Sequence, residues 1–203
     1  MNRAAFFDHL RTTGVLGPVL TADEVSQTER LLDAMRQWPL AWIAYGLATA
    51  YHETAHTMRP VREHGGPQYW FRMYDPESPL PRRAALAKRE GALPGDGVRF
   101  YGRGHVQLTW RKNYRRAGLA LGVPLEADPD RALEGATSAR IMVWGMEGGH
   151  FTGRKNADYL PRRGPASVDQ FRAARRIING VDKAALIASY AVEFQIALVE
   201  AGL

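Results

Sequence analysis

Ala50-Tyr51-His52-Glu53-Thr54-Ala55-His56, continuing through Arg62-Glu63-His64-Gly65-Gly66, decides how the chain reads. Between positions 52 and 64 it holds two carboxylates and three imidazoles. It follows the run Leu40-Ala41-Trp42-Ile43-Ala44-Tyr45-Gly46-Leu47-Ala48. A helix that is apolar or small on every side is a buried helix. Glu53 then stands at the end of a buried helix, where desolvation disfavours the charged carboxylate and suits a general acid.

Three readings compete for this stretch. His52-Glu53-Thr54-Ala55-His56 matches H-E-x-x-H, which on a helix sets two imidazoles one turn apart for Zn²⁺ with the Glu as base. Alternatively, Glu53 and Glu63 are paired carboxylates flanking a bond to be hydrolysed. The third reading is a helix end ringed by polar residues. An extended zinc motif requires a histidine where the chain has Arg62 and a glycine where it has Arg59. The zinc reading also leaves residues 100–114 and 177–180 without a role, and no metal ligand set is assigned.

The 203 residues suffice for one domain with a substantial core, and a single domain over 1–203 is expected. The absence of cysteine excludes disulfides and thiolate metal sites. The net charge of +6 favours an anionic partner such as nucleic acid, a membrane surface or an acidic wall polymer. The charge is scattered in short clusters (Arg82-Arg83, Arg115-Arg116, Arg162-Arg163, Arg175-Arg176), without the aromatic-basic repeats of a nucleic-acid binder. No segment has the length and apolarity of a signal peptide or a membrane span. The expectation is therefore a cytoplasmic monomer that touches neither nucleic acid nor membrane and is released to its target by another agent.

Periodicity predicts a helix over 4–10 with Phe6, Phe7 and Leu10, broken by Gly14, Gly17 and Pro18. Thr21-Ala22-Asp23-Glu24 is a capping box that opens a second helix, and Pro39 precedes the buried one. Residues 65–79 read as irregular and aromatic, with helix over 84–88. Val98, Phe100 and Tyr101 lead into a hairpin-like piece with strand alternation over 106–109. Helices follow over 113–121, 129–133 and 138–146. Another runs from the Ser167 capping box to residue 178, and the last begins at an Asp182 cap. The fold class is mainly α within α+β: a helical bundle with a small β-hairpin insertion lining a cleft.

Phe100-Tyr101-Gly102-Arg103-Gly104-His105-Val106-Gln107-Leu108-Thr109-Trp110 is a second constellation. Its glycines permit close backbone approach. Gln107 and Thr109 offer hydrogen bonds, and Tyr101 and Trp110 offer flat surfaces for sugar rings. A glycine-kinked hairpin with incidental polar residues explains it equally well.

Tyr101-Gly102-Arg103-Gly104 with Gln107-Leu108-Thr109 and Asn113-Tyr114 resembles the Y-G-R-G-x-x-Q-L-[ST] signature of glycoside hydrolase family 19, which comprises chitinases and phage-type endolysins of the lysozyme-like superfamily. His52-Glu53-Thr54 is similar to that family's H-E-[TS], and Ile178-Asn179-Gly180 to its I-N-G segment. The motifs stand in the family's order. The resemblance implies a lysozyme-like fold and cofactor-free, inverting hydrolysis of β-1,4 links between N-acetylated aminosugars. Glu53 is then the acid, Glu63 the base, and His52, Tyr101, Gln107, Thr109, Asn113 and Asn179 the substrate-binding residues. The short step from Glu53 to Glu63 is like the endolysin branch, so a peptidoglycan muramidase is expected, with a chitinase as the alternative. Asp75 and Glu77 are further candidates for the base.

The missing third ligand near His56 generates a prediction. Hydrolysis is expected to survive dialysis against a chelator; activity lost on dialysis and restored by Zn²⁺ would replace the paired-carboxylate reading with the metallopeptidase one.

Overall fold

A computed structural model describes residues 1–17 and 19–203, so the expected break at Pro18 lies outside the described residues. The chain divides into two compact units, Met1–Arg59 with Met142–Leu203, and Pro60–Ile141.

The first unit is helical. It holds α1 (Arg3–Thr13), α2 (Ala22–Ala34), α3 (Leu40–Glu53), and the later helices α8 (Val168–Ala174) and α9 (Ala184–Glu200). Residues 41–51 of α3 are all buried. That agrees with a sequence apolar or small on every side, which packs on neighbours all round. Its main partner is α9, against which α1 and α8 also pack. The Thr21 and Ser167 capping boxes form as predicted. In each, the hydroxyl accepts from the N3 amide while the N3 side chain accepts from the cap amide. Pro39 sits one place before α3, as the cap residue. The segment to residue 178 is α8 followed by the 3₁₀ turn Arg175–Ile177. Asp182 does not cap α9: Lys183 occupies that position with φ +55°, and the Asp182 carbonyl accepts from Arg175 Nε at 2.9 Å.

The second unit contains β1 (Val61–Arg62), α4 (Pro67–Tyr74), α5 (Pro81–Arg89), β2 (Arg103–Gly104), α6 (Arg111–Leu121) and the 3₁₀ turn Pro129–Leu133. The helix α7 (Gly135–Gly148) begins within its range. The expected irregular stretch is instead α4, started by Pro67 at its first position, where the missing N–H costs nothing. The hairpin expectation also changes. The sheet pairs β1 with β2 antiparallel, Val61 opposite Gly104 and Arg62 opposite Arg103. Residues 106–109 do not form a strand, because Gln107 has φ +52° and only Leu108 bridges back to Arg103.

Asp75 is fully buried and fastens this unit's loops. Its Oδ1 accepts from Glu77 N at 3.0 Å, and its Oδ2 from Gly95 N at 2.9 Å and Gly97 N at 3.2 Å. Asp75→Asn replaces one accepting oxygen with a donor facing N–H groups. It should cost about 2 kcal/mol or more in urea unfolding; an unchanged midpoint would show that the loops hold without the carboxylate.

Candidate functional site

In the first unit, Glu53 is the last residue of α3. Its Oε1 accepts from Arg175 Nη1 at 2.6 Å; the Arg175 side chain is 3% exposed and that of Glu53 18%. The 3₁₀ turn after α8 places Arg175 there, and Asn179 N donates to the Arg175 carbonyl at 2.9 Å. The Asn179 side chain is exposed. Tyr45, Thr49 and Glu53 lie at i, i+4 and i+8, on one face of α3. Burial pushes the Tyr45 hydroxyl well above its ordinary range. It also pushes His52 down, against the opposing pull of Glu53, which favours the neutral imidazole.

The helix does not carry His56. After Thr54 caps α3, Ala55, His56 and Met58 adopt φ of +51°, +70° and +58°. His56 turns back to stack on Tyr51 at 4.4 Å, with Tyr190 edge-on to both. His52 and His56 are therefore not one helical turn apart, and the geometry that H-E-x-x-H requires is not formed. Among the described residues, no group of three His, Asp or Glu side chains is placed to hold a metal.

In the second unit, both oxygens of Glu63 are held. Tyr74 donates its hydroxyl to Oε1 at 2.6 Å, and Gly102 N donates to Oε2 at 3.0 Å; Glu63 N returns a bond to Gly102 O at 2.9 Å. Burial, and then the Glu63 carboxylate, push the Tyr74 hydroxyl far above its usual range, so it remains a donor. A Cβ on Gly102 would lie 2.6 Å from Gln107 Oε1 and 3.2 Å from Glu63 Oε2. At Gly104, φ is +93° and a Cβ would meet Ser138 Oγ at 2.7 Å. Backbone conformation and close approach together require glycine at 104, whereas at 102 an added Cβ would displace the ends of the Gln107 and Glu63 side chains.

Gln107 lies beside Glu63 and spends its amide protons on Val61 O and Gly104 O, at 3.0 and 3.1 Å. Asn113 donates to the Thr109 carbonyl at 3.0 Å, leaving the Thr109 side chain half-buried. Trp110, half-buried with φ +71°, stands edge-on to Tyr74 at 5.1 Å. Tyr101 departs from the expected sugar-stacking role. It is buried, with Trp70 parallel at 3.7 Å and the Arg103 guanidinium at 3.8 Å from its ring centre. Two groups that close must take opposite faces. Asp75 is committed to three backbone amides, and Glu77 and His64 are exposed. Residue patterns did not point to Arg175 or Tyr74 as partners of the carboxylates; the only traces were a basic pair and an aromatic cluster.

The frame below Glu63 is ionic. Arg62 grips Asp130 through both terminal nitrogens, at 3.0 and 2.7 Å, and buried Arg103 adds a bond at 2.8 Å. These bonds, Arg62's first, hold the Asp130 carboxyl below its usual range.

These findings define a mainly α protein of the lysozyme-like class with two held glutamates. A family model for chitinase class I matches residues 41–148, and the chain belongs to that family, glycoside hydrolase family 19. It resembles an endochitinase of Arabidopsis thaliana, 49% identical over 24% of this chain and 17% of the relative. It also resembles inactive chitinase-like protein 1 of Hevea brasiliensis, 35% identical over 39% and 25% respectively. The chain thus spans a quarter or less of these relatives' length. The structure of chitinase C from Streptomyces griseus HUT6037 shares the fold, with TM-score 0.58 and 19% identity over 99% of this chain and 76% of that one.

The Asp130 network carries a pH prediction. A depressed folded-state pKa adds stability that is present above the unfolded value of about 3.9 and lost as pH falls through the folded one. Asp130 is half-exposed, so screening limits the effect. Asp130→Asn should cost about 1 kcal/mol at pH 7, with the gap closing below about pH 4. Urea melts at both pH values measure it, and a gap unchanged in acid would mean the ion pairs are not its source.

Proposed function

We propose that this chain is a glycoside hydrolase cleaving β-1,4 links between N-acetylated aminosugars, with a chitin-type chain as substrate. The observation that carries the reading is the pair of held glutamates, both within the matched family segment. One is set against a buried guanidinium, the other between a phenol and a backbone amide. Membership alone does not carry activity, since one relative is named inactive. The endochitinase relatives support chitin better than the peptidoglycan muramidase expected from the Glu53–Glu63 spacing.

In this reading Glu53 gives its proton to the leaving oxygen, and Arg175 meets the carboxylate left behind. Its charge is in place before the reaction, so no solvent has to reorganise. Glu63 is the base that takes a proton from the attacking water. Tyr74 and Gly102 fix its carboxylate plane, and orientation of this kind contributes to rate because the reactive geometry is set in advance. A half-buried Trp110 offers a ring face to sugar, and Gln107, Thr109 and Asn179 offer polar groups to the acetamides. No cofactor takes part.

Glu53→Gln keeps the shape and removes the transferable proton. It should reduce hydrolysis of chitin oligomers by at least about 10²-fold. Glu63→Gln should be comparably severe, whereas Glu77→Gln should leave the rate near wild type. Retained activity in Glu53→Gln, with normal circular dichroism, would sink this assignment.

A further inference from the structure

In the first unit, residues 149–154 fold back onto the end of α7. Gly145 and Gly148 of that helix carry no side chain, and the rings of Phe151 and His150 occupy the space their Cβ atoms would take. His150 lies parallel to Trp144 at 4.1 Å, and Phe151 stands edge-on to it at 6.5 Å. The backbone reverses with them. His150 N donates to Gly145 O at 2.9 Å, and Gly153 N donates to Gly149 O at 3.0 Å. Gly149 and Gly153 have φ of +73° and +83°, which glycine adopts without the cost a side chain incurs.

The reversal delivers the Thr152 hydroxyl to the 3₁₀ turn Arg175–Ile177. Thr152 Oγ1 donates to Arg176 O at 2.7 Å, shares that proton with Ile177 O at 3.0 Å, and accepts from Arg154 N at 3.4 Å. The end of a helical turn leaves carbonyls without partners inside the turn. Here one side chain takes two of them. The carbonyl before them, Arg175 O, accepts from Ile178 N at 3.1 Å and Asn179 N at 2.9 Å. Three successive carbonyls are thereby fixed directly beside the guanidinium that meets Glu53 at 2.6 Å. An arginine side chain has many rotamers, so its tip is placed reproducibly only from a fixed backbone.

We propose that Thr152 is a positioning residue: its hydroxyl fixes the 3₁₀ turn so that Arg175 meets Glu53 in the geometry that proton transfer to the leaving oxygen requires. The reaction assigned to that pair rests on the reading under Proposed function, whereas the placement of the guanidinium does not. Magnitudes separate this role from a merely structural one. Thr152 is exposed, so water competes for its hydroxyl and the bond contributes little net stability. Displacement of a reacting group by about 1 Å, in contrast, costs about 10²-fold in rate. A residue that acts through geometry therefore affects turnover more than the melt.

The test compares Thr152→Val, which keeps the shape and removes the hydroxyl, with Thr152→Ser, which restores it. Thr21→Val is the control, since it removes a side chain–backbone bond at the α2 cap of the same unit. Circular dichroism melts confirm that each full chain folds. On chitin oligomers, Thr152→Val should lower kcat about tenfold and leave KM within about twofold, the signature of an interaction expressed in the transition state. Thr152→Ser should return kcat to within about twofold of the unaltered chain, and Thr21→Val should leave it there. A second readout needs no activity. The Arg175 Nε proton, which is bonded to Asp182 O, is followed by ¹⁵N NMR and assigned by its loss in Arg175→Lys. In Thr152→Val it should exchange with solvent at least about tenfold faster. An unchanged kcat in Thr152→Val, an equal loss in Thr21→Val, failure of Thr152→Ser to restore it, or an unchanged Arg175 signal would each overturn the positioning role. If the unaltered chain hydrolyses no chitin oligomer, the glycosidase reading falls, and the Arg175 signal alone decides whether Thr152 places the guanidinium.

Discussion

The contact between Arg175 and Glu53 constrains the first unit more than any other. Removing two charges from water costs several kcal/mol per ion, and their attraction offsets this only with close geometry and further hydrogen bonds. The chain provides both. The carboxylate meets Nη1 at 2.6 Å while Nε donates to the Asp182 carbonyl. To bring the guanidinium there, α8 stops at Ala174 and tightens into a 3₁₀ turn. The loop that follows enters α9 through a left-handed Lys183. The helix that carries Glu53 is buried over residues 41–51, so polar side chains reach partial exposure only at His52 and Glu53. Removing either partner would leave the other charged and poorly solvated, at a cost to the fold.

The second unit meets the same demand with neutral donors. Glu63 lies on the chain just after β1, and the approach of Gly102 to its carboxylate is set by the β1–β2 pairing and by the absence of a Cβ. The Arg62–Asp130–Arg103 network and the Trp70–Tyr101–Arg103 stack fix that two-residue sheet, which its few backbone bonds alone would hold poorly. Charge is thus used beside one glutamate, and a phenol with an amide beside the other.

What could be read from sequence was local. The buried α3, the Thr21 and Ser167 capping boxes, the turn Pro129–Leu133 and the end of α6 at Leu121 all depend on residues within a turn or two, and each was legible. The helix α4 was hidden because its aromatic residues resemble a loop cluster, although Pro67 marks its first turn. The sheet was misread because its partners lie some forty residues apart, with two helices between. Glu53 was picked out by its motif and Glu63 by its spacing from it, with Asp75 and Glu77 as alternatives, but not what holds them: Arg175 is 122 positions from Glu53, and no periodicity links them.

His56 shows why a motif has to be checked against backbone before chemistry is assigned to it. Spacing of four residues implies a shared helical face only while the helix lasts. Here Thr54 ends it, and three of the next four residues take left-handed backbone conformations that cost roughly 1 kcal/mol or more each outside glycine. Such a run persists only where the surroundings over-determine it. The stacking of His56 on Tyr51, the edge contact with Tyr190 and the complete burial of Met58 supply that support. The tight turn stops α3 directly after Glu53 and keeps its carboxylate at a free helix end. Had the helix run on, Glu53 would sit mid-helix with a further turn of backbone covering it. The residues that imitate a metal motif thus act through the backbone, by ending the helix where the glutamate is needed.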